Sequence, residues 1–182
     1  HSSLLDNFDT SGLDAYNING CNTPTMSTII KRTDFNDEYS ALILAGDGTV
    51  PLGSSKGIDL SNEREYYFKD IDHAVMPSES GIKELVTQII TDATITLSSS
   101  ATQDSSECVI AGKIVSIHSP VNLHIYDSNG NHVGRGENGD IEYEISGVSY
   151  EEIGENKFVF LPESESLSYS IELDGTDSGT FS

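Results

Sequence analysis

The residues best suited to chemistry in this chain are an aspartate in a glycine-rich turn and a histidine 26 residues later. Asp47 lies in the turn 46–51, GDGTVP, directly after the apolar run 41–45. His73 follows a second apolar stretch, 66–68. Both side chains are therefore predicted at the ends of strands. A carboxylate at one strand end that orients an imidazole at the next is an arrangement used for base catalysis.

The elements that must position this pair are two strands and a helix. The run 41–45 is predicted to be a short buried strand, and residues 66–69 the next one. Residues 15–19 alternate and predict an earlier strand, while 23–32 either extend a strand or turn into one. The clearest helix is predicted over 78–92, with Ser78 as its N-cap. Its apolar face comprises Ile82, Leu85, Val86, Ile89 and Ile90.

The turn 46–51, together with Leu52 and the segment 73–76 (HAVM), resembles the C-terminal part of α/β-hydrolases of the lipase and lecithin:cholesterol acyltransferase-like group. The segment 15–20 with the following Thr-Pro-Thr, 23–25, resembles the strand that precedes the acid in that group. The resemblance covers roughly residues 14–92. It implies that Asp47 is the acid of a catalytic triad, that His73 is the general base, and that the full-length protein acts on an ester or a lipid.

The nucleophile that this family requires is missing from the expected place. The family order is serine, then acid, then histidine, but the 46 residues before Asp47 contain no strand, G-x-S-x-G and helix in succession. One G-x-S-x-G, 53–57, follows the acid, and we interpret its Ser55 as coincidental. Asp70 and Asp72 are interpreted as loop acids. We therefore expect the chain to be the C-terminal fragment of a serine hydrolase or acyltransferase, inactive by itself.

In the second half of the chain, apolar and polar residues alternate with the two-residue period of strands. A Ser-rich linker is predicted over 96–106, between a hydrolase portion, 1–95, and a second domain, 107–182. Short alternating strands are predicted in that domain at 109–117, 121–126, 141–145, 157–161 and 169–173. The fold class is therefore α+β overall: a partial α/β-hydrolase segment followed by an antiparallel β-sandwich. The sandwich loosely resembles appendages of some secreted bacterial and archaeal hydrolases, which favours an extracellular or cell-surface location.

One turn of the second domain partly matches a metal-binding motif. Residues 127–131 match the first half of a calcium loop, but the glycine stands at the fourth position instead of the sixth. The Asn129-Gly130 pair instead predicts a type I′ hairpin. His118 and His124 are interpreted as ordinary strand residues and His132 as a turn residue. The chain ends at 179–182 as if entering a further strand, so truncation there is also expected.

Charge and cysteine content limit the classes of ligand and of structural site that the chain could have. The chain has 30 acidic and 9 basic residues, a net charge of −21, which disfavours binding to nucleic acid. No apolar run approaches the ~20 residues of a transmembrane helix. Cys21 and Cys108 fall in different predicted domains, so we expect buried or free thiols. No CxxC or CxxH pair is present, and no metal or cofactor is predicted.

The sequence is also compatible with two other functions. The β-sandwich could be a non-catalytic binding or interaction module of a larger protein, although the lack of tryptophan argues mildly against sugar binding. The GDGTVP turn could also be a remnant in a purely structural protein. A hydrolase sheet without its central strands would expose apolar edges, so self-association of this piece is predicted.

Overall fold

The computed structural model describes residues 12–32, 39–57 and 60–176. Strands account for 45% of the structure and helices for 15%, and most sheets are antiparallel. The described residues form two compact units. Unit 1 comprises 12–27 and 44–110, and unit 2 comprises 28–43 and 111–176.

Among the described residues up to position 102, the structure has five strands and two α-helices. In order they are β1 (Asn17–Cys21), β2 (Thr23–Lys31), β3 (Tyr39–Gly46), α1 (Leu52–Ser55), β4 (Glu65–Lys69), α2 (Ser80–Ile90) and β5 (Ala101–Thr102). Strand β4 lies between β1, which is parallel to it, and β5, which is antiparallel. Strands β2 and β3 pair as a separate two-stranded sheet. Because β1 and β4 are parallel, the segments that follow them begin at the same end of the sheet, where both strands have their C-termini.

Helix α2 covers one face of this sheet. Ile82 and Leu85 are buried against Tyr66 and Phe68 of β4. Val86 and Ile90, predicted on the same apolar face, are exposed. The buried stripe of α2 is thus narrower than the sequence indicates.

The N-terminus of α2 differs from the prediction. The helix begins at Ser80 with Glu79 at the N-cap, and no side chain caps it. Ser78, the predicted N-cap, is the last residue of a preceding 3-10 turn, Met76–Ser78. Glu79 has an extended backbone, with φ of −65° and ψ of 130°, so the regular helix begins only at Ser80.

A disulfide joins Cys21 to Cys108, with Cα atoms 5.4 Å apart. The prediction of two free or buried thiols was therefore wrong. It failed because it assigned Cys108 to the second domain, whereas the segment predicted as a linker contributes β5 and a 3-10 turn, Ser105–Glu107, to unit 1. Strand β5 runs back along β4, and the chain then reaches the end of β1.

Unit 2 contains seven further strands. They are β6 (Gly112–His118), β7 (Val121–Asp127), β8 (His132–Arg135), β9 (Ile141–Tyr143), β10 (Ser149–Ile153), β11 (Asn156–Pro162) and β12 (Tyr169–Gly175). They form two antiparallel sheets, ordered β10-β11-β6 and β12-β7-β8-β9. The shared core includes Leu123, Ile125, Val133, Tyr150 and Val159. The alternation along β7 that predicted a half-buried strand is present, because Val121, Leu123 and Ile125 are buried.

The turn between β7 and β8 is not the predicted type I′ hairpin. That turn needs positive φ at both central residues; Gly130 has φ of 86°, but Asn129 does not have a positive φ. The Asp127 carboxylate organises the turn instead, accepting from the backbone amides of Asn129 and Asn131. His132, predicted in the turn, begins β8. The final segment, 179–182, lies outside the described residues.

Candidate functional site

The Asp47 side chain is buried in the turn that follows β3, with 6% of its surface exposed. One carboxylate oxygen, Oδ1, accepts hydrogen bonds from the backbone amides of Thr49, at 3.0 Å, and Val50, at 2.6 Å. Gly48 has φ of 86°, which lets the chain turn sharply enough to present these amides. These two bonds fix the direction of the carboxylate and leave Oδ2 for another donor.

That donor is His73. Its Nδ1 lies 2.8 Å from Asp47 Oδ2, and its backbone amide donates to the Asp47 carbonyl oxygen at 2.8 Å. An ionised carboxylate can only accept a hydrogen bond, so Nδ1 carries the proton and a neutral imidazole has its lone pair on Nε2. The structure therefore brings together the two side chains that the sequence singles out, from turns that follow β3 and β4.

The other side of the imidazole is open. The His73 side chain is 51% exposed, and in the described ranges Nε2 has no hydrogen-bond partner. An unprotonated Nε2 facing outward can accept a proton from a hydroxyl that approaches it. The pair thus has the geometry of a general base with its orienting acid.

Strand β2 and the end of β1 support the Asp47 turn. The Thr25 hydroxyl accepts a hydrogen bond from the Gly48 amide at 2.8 Å, and Thr23 bridges to Asp47 in parallel register. A Cβ added to Gly20 would lie 2.6 Å from the Asp47 Cβ, so only glycine allows this approach. Sequence reasoning missed the role of Thr25, although the Thr-Pro-Thr segment was part of the family resemblance.

The other residues considered for this site have local roles. Ser55 ends α1, and its hydroxyl donates to the Leu52 carbonyl oxygen at 3.0 Å. Asp72 accepts from the Ala74 amide at 2.9 Å. Asp70 is exposed and has φ of 57°. In the residues that the structure describes, none of the three is hydrogen-bonded to His73.

A polar cluster lies on the face of the β1–β4 pair that is opposite α2. Glu65 is buried and accepts a 2.6 Å hydrogen bond from the Tyr67 hydroxyl. Burial, assisted by this bond to Glu65, raises the pKa of Tyr67. The neighbouring Tyr67 side chain raises the pKa of Lys56, with burial opposing. In the described ranges none of these groups is hydrogen-bonded or ion-paired to Asp47 or His73.

Unit 2 contains a cluster of two histidines and a glutamate, which the sequence analysis did not predict. His124 Nδ1 is 3.0 Å from His132 Nε2, and His132 Nδ1 is 2.9 Å from Glu142. The register of β7, β8 and β9 places the three on one face, a relationship that sequence spacing does not reveal. Within the described ranges no three His, Cys, Asp or Glu side chains are arranged to hold a metal.

Comparisons with known proteins add nothing to the assignment. No family model matches this chain, and no curated protein or solved structure is significantly similar to it. In the part of the chain that the structure describes, no helix combines the length and apolar character needed to cross a bilayer.

Proposed function

We propose that this chain carries the acid and the general base of a serine hydrolase or acyltransferase that acts on carboxylic esters or lipids. Asp47 is the acid and His73 the base. The observation that supports this most directly is the 2.8 Å contact between His73 Nδ1 and Asp47 Oδ2, with the opposite ring nitrogen open. The resemblance of the GDGTVP turn and the following histidine to α/β-hydrolases supports the same roles.

In this proposal the serine belongs to a part of the protein outside the present sequence. His73 Nε2 takes the proton from the serine hydroxyl as it attacks the ester carbonyl, and then returns it to the leaving group. Asp47 holds the Nδ1–H tautomer and stabilises the imidazolium that forms. The hydrogen bonds that Oδ1 accepts from Thr49 and Val50 keep the carboxylate in that orientation.

The experiment begins with the protein isolated from its native source. We expect a mass above that of the 182-residue chain, and labelling of one serine by a fluorophosphonate probe. In that complete protein, Asp47→Asn should lower turnover of a p-nitrophenyl ester about 10⁴-fold and His73→Gln about 10⁶-fold. Asp72→Asn is the matched control and should retain turnover.

Two results would contradict the proposal. One is a native protein with the mass of this chain and no labelled serine. The other is His73-dependent ester turnover by the 182-residue chain alone, since a nucleophile would then have to lie within it.

A second candidate is a binding module in unit 2, favoured by an open cavity of about 330 Å³ at one end of the sandwich. Lys113, Glu163 and Tyr169 are among its polar lining residues, beside Leu161 and Leu167. This volume is at the lower end of the range for small-molecule sites. Under this alternative the native protein would bind a ligand through unit 2 and show no serine labelling.

A further inference from the structure

The Asp47 turn is bonded to Thr25, a residue outside the turn. Its internal backbone bond, from the Asp47 amide to the Val50 carbonyl oxygen, is long at 3.3 Å. The Gly48 amide points out of the turn and donates to the Thr25 hydroxyl at 2.8 Å. Thr25 therefore holds the residue directly after Asp47, at the point where the chain reverses.

The Thr25 hydroxyl is set for this role. It donates its proton to the Thr23 carbonyl oxygen at 3.0 Å, which leaves a lone pair for the Gly48 amide. Thr25 is buried, with 1% of its surface exposed, so no water competes for that lone pair. The packing is close, since a Cβ on Gly46 would lie 2.5 Å from the Thr25 hydroxyl oxygen.

This contact acts on the direction of the carboxylate. Asp47 Oδ1 is bonded to the amides of Thr49 and Val50, so the side chain moves with the turn. Oδ2 can meet His73 Nδ1 only while the turn stays in register with the segment after β4. No hydrogen bond joins Thr25 and His73 in the described ranges. Two routes connect them: one through the Gly48 amide and Asp47, and one through Thr23 and the Ile71 carbonyl oxygen.

We propose that Thr25 is a positioning residue of the Asp47–His73 pair: its hydroxyl holds the Gly48 amide and thereby directs Asp47 Oδ2 at the imidazole. Its catalytic meaning rests on the function proposed above. The geometric claim can be tested on the 182-residue chain alone.

The experiment compares Thr25→Val, which keeps the shape and removes the hydroxyl, with Thr25→Ser, which keeps the hydroxyl. The ring nitrogens of His73 are observed by ¹⁵N NMR, together with water exchange of the Nδ1 proton. In Thr25→Val we expect a fold that is intact by circular dichroism, about 2- to 10-fold faster Nδ1 exchange, and a larger share of the Nε2–H tautomer. Thr25→Ser should restore the wild-type spectrum.

Thr23→Val is the matched control. It removes the Thr23 hydroxyl bond to the Ile71 carbonyl oxygen without touching an amide of the turn. An equal loss of the His73 signal in Thr23→Val would overturn the proposal, as would an unchanged signal in a folded Thr25→Val. If Thr25→Val fails to fold, Thr25→Ser alone tests the proposal. Loss of the His73 Nδ1 proton in that variant, which retains the hydroxyl, is incompatible with the proposal.

These outcomes are separate from the test of the proposed function. Thr25-dependent protection of the Nδ1 proton in a protein without a reactive serine would support positioning and contradict catalysis. Serine labelling together with Thr25-independent spectra would support catalysis and contradict the positioning role.

Discussion

Asp47 and His73 are joined twice, once through side chains and once through backbone. The His73 ring donates to Asp47 Oδ2 at 2.8 Å, and the His73 amide donates to the Asp47 carbonyl oxygen at the same distance. The backbone bond fixes the separation of the two chain segments. The side-chain bond then selects one tautomer of a half-exposed imidazole.

Asp47→Asn is expected to reverse the tautomer of His73. The Asn oxygen should remain with the amides of Thr49 and Val50, because an NH₂ group cannot accept their hydrogen bonds. The NH₂ then faces His73 Nδ1, which must become an acceptor, so the ring proton moves to Nε2. Ring ¹⁵N chemical shifts of His73 measure this directly.

The matched variant for that experiment is Asp72→Asn. Asp72 also accepts a backbone amide, that of Ala74, but it is not bonded to the imidazole. The Nδ1–H tautomer should persist there. If Asp47→Asn keeps that tautomer as well, the carboxylate does not determine it.

The sequence predicts this pair because its signals are local. Asp47 directly follows an apolar strand, and His73 follows the next one. Each strand end can therefore be predicted from a stretch of about ten residues. The alternation of Val121, Leu123 and Ile125 likewise predicts β7, since burial in a sandwich strand follows the two-residue period.

Features that depend on strand order could not be predicted in this way. The Cys21–Cys108 disulfide requires β5, a two-residue strand with no pattern of its own, to pair with β4. The Thr25–Gly48 bond requires β2 to lie beside the Asp47 turn. Such contacts are decided by tertiary packing, which overrides local propensity.

Gly46→Ala should destabilise the Asp47 turn. Its Cβ would lie 2.5 Å from both the Thr25 hydroxyl oxygen and the Val50 carbonyl oxygen. Because one of these atoms is backbone, relief requires movement of the turn, and we expect a loss of about 1–3 kcal/mol in the free energy of unfolding. Urea unfolding followed by circular dichroism gives this value.

Gly53→Ala serves as the comparison for that substitution. A Cβ at Gly53, inside α1, would meet nothing within 4 Å. Alanine favours helix over glycine by about 1 kcal/mol, so this variant should be neutral or slightly stabilised. Equal destabilisation by both substitutions would argue against a steric limit at Gly46.

Removal of the disulfide should weaken unit 1. The bond closes a loop with a sequence separation of 87 residues and is buried beside Tyr67. Loss of such a cross-link costs about 2–5 kcal/mol, mainly because the unfolded chain regains freedom. Urea unfolding with and without a phosphine reductant should show this loss in the wild type, with a smaller effect on NMR signals from unit 2.

The double variant Cys21→Ala, Cys108→Ala controls for effects of the reductant. It should unfold at the lower urea concentration whether or not reductant is present. A wild-type protein whose unfolding midpoint is the same with the bond verified as reduced would contradict the expected contribution.

Stability of unit 2 should fall in acid through Asp127. Burial opposes ionisation, but hydrogen bonds from the side chain and amide of Asn131 and from the amide of Asn129 outweigh it and lower the pKa of Asp127. A lowered folded-state pKa means that the stabilisation is present above the unfolded value, about 3.9, and is lost as the pH falls through the folded value. Unfolding free energies measured from pH 5 downward should therefore decline more steeply in the wild type than in Asp127→Asn, whose amide does not titrate. Parallel curves for the two proteins below pH 4 would show that the Asp127 hydrogen bonds do not favour the ionised form.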